Sequence, residues 1–153
     1  MAVSLDGAGT WRNDIDGPGR LVKSGSGSLT LIGANSYRGG TTPTAGTLVA
    51  ASPCALGTGS LLVAGGTLRA ASAVRVRGSY KHSAGTLSVQ AGSAVKVSGG
   101  LTIGRDTTLE VAGPVVISAR RVSGRFARVV VKPGCRAHVT YTRTTVAVTI
   151  RPA

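Results

Sequence analysis

The sequence predicts an all-β chain: a right-handed parallel β-helix, wound in rungs of roughly 20 residues, with a capping strand segment at its C-terminal end. Three observations predict it. A glycine-led strand motif recurs at near-constant spacing, apolar and polar residues alternate within each motif, and small and β-branched residues stand where a compact enzyme would carry large anchors.

The motif reads GSLTL (27–31), GTLVA (46–50), GTLRA (66–70) and GTLSV (85–89), so its leading glycines Gly27, Gly46, Gly66 and Gly85 stand at intervals of 19, 20 and 19. Continuing the count reaches Gly104, ahead of TTLEV (107–111), and Gly124, ahead of FARVVV (126–131). This period is too short for a propeller blade of ~40–45 residues or a two-helix repeat of ~33. A leucine-rich repeat would need a longer Leu ladder and an Asn at a fixed offset. A parallel β-helix remains, and chain chirality favours right-handed crossovers between its strands.

Alternation assigns the faces. Strand side chains point in and out with period two. Leu29/Leu31, Val74/Val76, Leu87/Val89, Val95/Val97, Leu101/Ile103, Leu109/Val111 and Val146/Val148/Ile150 are expected inward, with Thr30, Arg75, Ser88, Lys96, Thr102, Glu110 and Ala147 outward. Leu48, Leu68, Leu87, Val97, Leu109, Phe126 and Tyr141 are the expected folding core. One rung cannot bury its face alone, but stacked rungs share one core.

Composition agrees. Glycine contributes 23 of 153 residues, about twice the ~7% average, and aromatics only 3%. No run of ~18 apolar residues suggests a membrane helix, and no basic-then-apolar leader opens the chain. Five aromatics are too few for a membrane barrel with aromatic girdles. The net charge of +13 lies almost wholly in residues 61–153, where fourteen basic residues face two acidic ones. That half should attract anionic partners through its field. Cys54 and Cys135 are expected to be unbonded, because about four rungs, roughly 19 Å, should separate them.

The segment GSGSLTLIGANSYRGGTTPTAGTLVA (25–50) resembles the strand repeat of bacterial autotransporter passengers, roughly GxGxLTLxGxNxYxGGTxxxxGTL. It matches at Gly27, Leu29, Thr30, Leu31, Gly33, Asn35, Tyr37, Gly39, Gly40, Thr41, Gly46, Thr47 and Leu48, and departs at Pro43. TWRNDIDGPGRLVKSG (10–25) looks like a rung that follows the protease domain in the subtilisin-like group. The stretches 78–111, 122–131 and 138–150 resemble the end of a passenger, called the autochaperone or junction region. The positive charge departs from that family's usual neutral or acidic balance.

The resemblance implies two continuous parts: rungs with the strand repeat over 1–72, and an autochaperone-like cap over 73–153. It implies a structural stalk and folding core of a type V secreted passenger, monomeric and displayed at the cell surface. Its partners would be the rest of its own passenger and the parent protein's membrane β-barrel. No catalytic, cofactor or metal site is expected, and no specific nucleic acid.

Other chemistry has thinner support in the residues. Arg75 and Arg77 alternate outward, Lys96 follows Arg77 by 19 and Arg125 follows Arg105 by 20. Such intervals could build a basic face for anionic glycans, lipopolysaccharide or a host protein. Asp14 and Asp16 could be a glycosidase pair, but the adjacent Gly17-Pro18-Gly19 favours an Asx-type turn. His82 and His138 lack a nearby acid or nucleophile and read as surface residues. Asn35 reads as turning a corner, and Tyr37 as covering a rung edge.

Overall fold

The computed structural model describes residues 2–4, 7–12, 14–90, 93–131 and 133–152. Among them every regular element is a strand, and the chain winds into a β-solenoid of about 6 turns. The first eight strands are β1 (Ala2–Ser4), β2 (Ala8–Trp11), β3 (Leu21–Ser24), β4 (Ser28–Leu31), β5 (Thr41–Pro43), β6 (Thr47–Ala50), β7 (Leu61–Val63) and β8 (Thr67–Ala70). Odd-numbered strands stack as one parallel ladder and even-numbered strands as a second. β9 (Val74–Val76), β11 (Ala94–Val97) and β13 (Val115–Ser118) form a third. Before β9, loops occupy that third side.

β10 (Tyr80–Val89) and β12 (Gly100–Val111) are long enough to serve both earlier ladders. β10 pairs with β7 through residues 80–82 and with β8 through 86–89. β14 (Arg121–Ser123) and β15 (Arg128–Val130) lie on the two halves of β12 as the last parallel rung.

The repeat's leucine is the column that organises the core. Leu29, Leu48, Leu68, Leu87 and Leu109 are partners in successive strands, followed by Val129. All five leucines are at most 2% exposed. The alternation places Val74, Val76, Val95, Val97, Leu101, Ile103, Val111, Val146 and Val148 inside as well, with Ile150 half-buried. Corners need backbone freedom. Gly46 has φ +67°, and a Cβ there would overlap the carbonyl oxygens of Gly25 and Gly27, so no other residue fits without moving two rungs.

Past Gly85 the expected register needs correction. Gly85 is opposite Thr107, and Leu87 opposite Leu109, a longer step along the chain than that from Leu68 to Leu87. The register shifts between His82 and Ala84, where extra chain enters the rung. Gly104 instead packs against the backbone of Ser83, and Gly124 against that of Ile103. The last two glycine marks therefore stand at the entry to the same corner, beside Ser83 and Ile103, and not at the position of the Gly27–Gly85 series.

β16 (Cys135–Tyr141) and β17 (Thr145–Pro152) close the third ladder as an antiparallel hairpin, with β17 against β13. A parallel return needs most of a rung of chain, so the short link Thr142-Arg143-Thr144 permits only the antiparallel pairing. Val146 and Val148 sit opposite Ile117 and Val115 and extend the core. Cys54 and Cys135 are both free thiols. Cys135 lies in the outermost strand of this sheet, so the hairpin stacks outward and does not fold back along the solenoid.

Candidate functional site

The closing end holds a buried polar–aromatic cluster. Tyr80 and His82 share the inner face of β10, in line with Leu61 and Val63 below and Leu101 and Ile103 above. His82 is fully buried, which corrects the surface reading. Its Nε2 lies 3.0 Å from the Gly85 carbonyl and its Nδ1 2.6 Å from the Tyr80 hydroxyl. A carbonyl can only accept, so Nε2 carries the proton and Nδ1 accepts from Tyr80. Burial lowers the His82 pKa, and the Gly85 bond partly offsets that. Burial likewise raises that of Tyr80.

Phe126 covers this pair, edge-on to the His82 ring at 5.8 Å between centroids. The Phe126 backbone N–H donates to the Tyr141 hydroxyl at 3.2 Å, and the Arg125 guanidinium stands 5.0 Å from the Tyr141 ring centroid. One half-buried tyrosine thus helps to fasten the last parallel rung to the hairpin.

A second set of buried polar groups ties the first rungs. Asn35 is 4% exposed and does not simply turn a corner. Its Oδ1 accepts from Ile15 N–H at 2.8 Å and its Nδ2 donates to the Ala55 carbonyl at 2.7 Å. The two partners lie on the rungs before and after its own, so one side chain clamps three rungs. Tyr37 is buried, not spread over a rung edge; its hydroxyl donates to Thr41 Oγ1, which donates to the Leu56 carbonyl. Burial pushes the Tyr37 pKa up to about 12, against a lowering by the Thr41 bond. The wholly buried Lys23 ammonium donates to the carbonyls of Ser24, Gly25 and Ala45. No sequence signal singled out Lys23.

The charged candidates divide. Arg75 and Lys96 are partners on the outward face of β9 and β11, so Lys96 stacks on Arg75 and not on Arg77. Arg77, Arg105 and Arg125 are exposed elsewhere, with Arg125 engaged by Tyr141. The five residues form no single row. Asp14 and Asp16 are exposed in a loop, not on a strand. Asp14 Oδ1 accepts from Ala34 N–H on the next rung at 2.8 Å, a cross-rung contact in place of the expected local turn. His138 is exposed on β16.

Residues 21–50 match the family described as Passenger-associated-transport-repeat. They run from the start of β3 to the end of β6, which includes the Asn35 clamp and the first leucines of the column. Residues 21–50 carry this passenger-associated repeat. The chain is similar to the "Adhesin BmaC autotransporter" of Brucella suis biovar 1 (strain 1330), with 41% identity over 92 residues, covering 58% of this chain and 3% of that protein. It is also similar to the "Extracellular serine protease" of Serratia marcescens, with 56% identity over 32 residues, covering 21% of this chain and 3% of that protein. The chain thus spans about 3% of the length of these relatives.

Proposed function

We propose that this passenger segment is a non-catalytic stalk and folding core, with residues 73–153 acting as an autochaperone-like cap that orders before the rungs of 1–72. The two parts share one continuous leucine column. The observation that carries this reading is the fastening of that column at one end. There Phe126 and Tyr141 join the last rung to the β16–β17 hairpin, which caps the third ladder, while β14 and β15 end the other two ladders as β1 and β2 do at the far end. A strand edge with unpaired backbone groups is a template for the next strand, so order can spread from the closed end one rung at a time. The parent's membrane β-barrel and the remaining passenger would be its physical neighbours during export to the cell surface. Leu48, Leu68, Leu87, Val97, Leu109, Phe126 and Tyr141 would carry the role through packing.

Pulsed hydrogen exchange during refolding of the whole chain tests it. Amides of β10–β17 should gain protection before those of β2–β6. Protection appearing first in β2–β6, or in all strands together, would refute the cap's leading role.

A further inference from the structure

The link between the last parallel rung and the terminal hairpin gathers three arginines that the strand repeat does not explain. Arg120, Arg121 and Arg143, with Val122, Ser123 and Thr144, line an open recess of about 680 Å³. Its two walls are tied through the backbone. Ala119 N–H donates to the Thr144 carbonyl at 2.8 Å and Val122 N–H to the Arg143 carbonyl at 2.7 Å. Arg120 N–H donates to the Gly99 carbonyl of the rung below at 3.0 Å. The hairpin turn is held in turn by the Thr142 and Thr145 hydroxyls, 2.6 Å apart. The backbones that carry the three arginines are therefore fixed on two facing segments.

All three arginines are exposed, and no carboxylate lines the recess among the described residues. Like charges held together without a counterion favour binding of an anion. Guanidinium forks suit phosphate and sulfate, which they can grip with two parallel hydrogen bonds, and the Ser123 and Thr144 hydroxyls can add donors. No aromatic ring lines the recess to stack a nucleobase, so it lacks the platform that single-stranded nucleic acid uses. Val122 is the sole large apolar side chain among its lining residues, too little to hold an acyl chain. The volume is in the range of small-ligand pockets and admits a sugar ring bearing more than one anionic group.

We propose that the Arg120–Arg121–Arg143 recess binds a multiply phosphorylated or sulfated glycan. The site is independent of the stalk reading, whose refolding test can fail without affecting it. Arg75 and Lys96, on β9 and β11, do not line it and supply a control of equal charge.

The test is titration of the whole chain at about 150 mM salt, where distant charges are largely screened. One probe is a heparin-derived hexasaccharide, carrying sulfates. The other is deacylated lipopolysaccharide, before and after phosphatase treatment. The double variant R121S/R143S should weaken binding to at least one probe about tenfold or more, as for loss of charge-assisted hydrogen bonds. R75S/K96S should change it by less than about threefold. R143K, which keeps the charge but loses the fork, should fall between wild type and R143S, and it serves as the readout if the double variant does not fold. Loss with the sulfated probe alone assigns a sulfated glycan; loss on phosphatase treatment assigns a phosphorylated one. Equal losses from both double variants, equal affinity for a short DNA duplex, or no binding of either probe would overturn the site.

Discussion

Truncation of Leu87 to alanine tests the core most directly. Leu87 is 0% exposed and lies between Leu68 and Leu109 in the column. Leu→Ala changes in well-packed cores cost about 2–5 kcal/mol, the value rising with the cavity that remains. Here the neighbours above and below are held by parallel ladders on both sides of β10, at a spacing near about 4.8 Å. They cannot close the gap without breaking backbone hydrogen bonds, so the upper part of the range, about 4 kcal/mol, is expected. For a chain of this size that corresponds to a fall in melting temperature of roughly 8–16 °C. Urea and thermal melts followed by far-UV circular dichroism supply the measurement. Ser88→Ala is the control: Ser88 faces outward and makes only a 3.4 Å contact to Glu110, so it should stay within about 0.5 kcal/mol of wild type. A Leu87→Ala protein that melts like S88A would refute the argument that the column bears on stability.

Leu68→Ala should behave like Leu87→Ala, at about 2–5 kcal/mol in the same melts. Asn35→Ala strips partners from Ile15 N–H and the buried Ala55 carbonyl, and should cost about 2–3 kcal/mol by urea titration. His82 has a lowered folded pKa, so the unfolded chain binds its proton first as pH falls. Its contribution is intact above the unfolded value of about 6.5 and declines as pH drops below that; the stability difference between wild type and H82Q should therefore shrink from pH 7 downward. Thiol titration under denaturing, non-reducing conditions should count both Cys54 and Cys135 as free; an intramolecular disulfide in peptide maps would show that the hairpin's position is wrong.

The parts of the fold that were legible in the sequence are those where one period governs backbone and side chain together. From Gly27 to Val89 successive rungs repeat at nearly the same interval, so equal spacing in sequence meant equal position in space. That coincidence ends in the next turn of chain, where Tyr80 meets Leu101 after a longer step than that from Leu61 to Tyr80, and the shift between His82 and Ala84 lengthens it further. Gly104 and Gly124 kept the spacing while slipping to the entry of the same corner, because that corner grew longer and more than one of its positions favours glycine. Counting leucines would have found the longer step: Leu109 keeps its phase with Leu87, while Gly104 loses phase with Gly85. The basic residues failed similarly. Lys96 meets Arg75 because the turn of chain joining β9 to β11 is longer than the earlier rungs, and carrying the shorter interval on from Arg77 placed it one partner too far.

The buried polar groups were less legible for a different reason. Asn35 and Lys23 are residue types found mostly at the surface and His82 an intermediate one; His82 is held inside by Tyr80 and Gly85 of its own strand, Asn35 by the rungs on either side, and Lys23 by carbonyls of its own and the next rung. The signal available for His82 was its column: it stands between Val63 and Ile103, just after Tyr80 on the same face. In a solenoid, where every rung samples the same positions, a column is stronger evidence of burial than the chemistry of one side chain. Where columns end, at the corner after β13 and the turn after β16, no repeat constrains the residue. It is there that Arg120, Arg121 and Arg143 meet. A stacked core has no need of three cations at that junction, so the recess is the part of this segment whose chemistry packing does not explain.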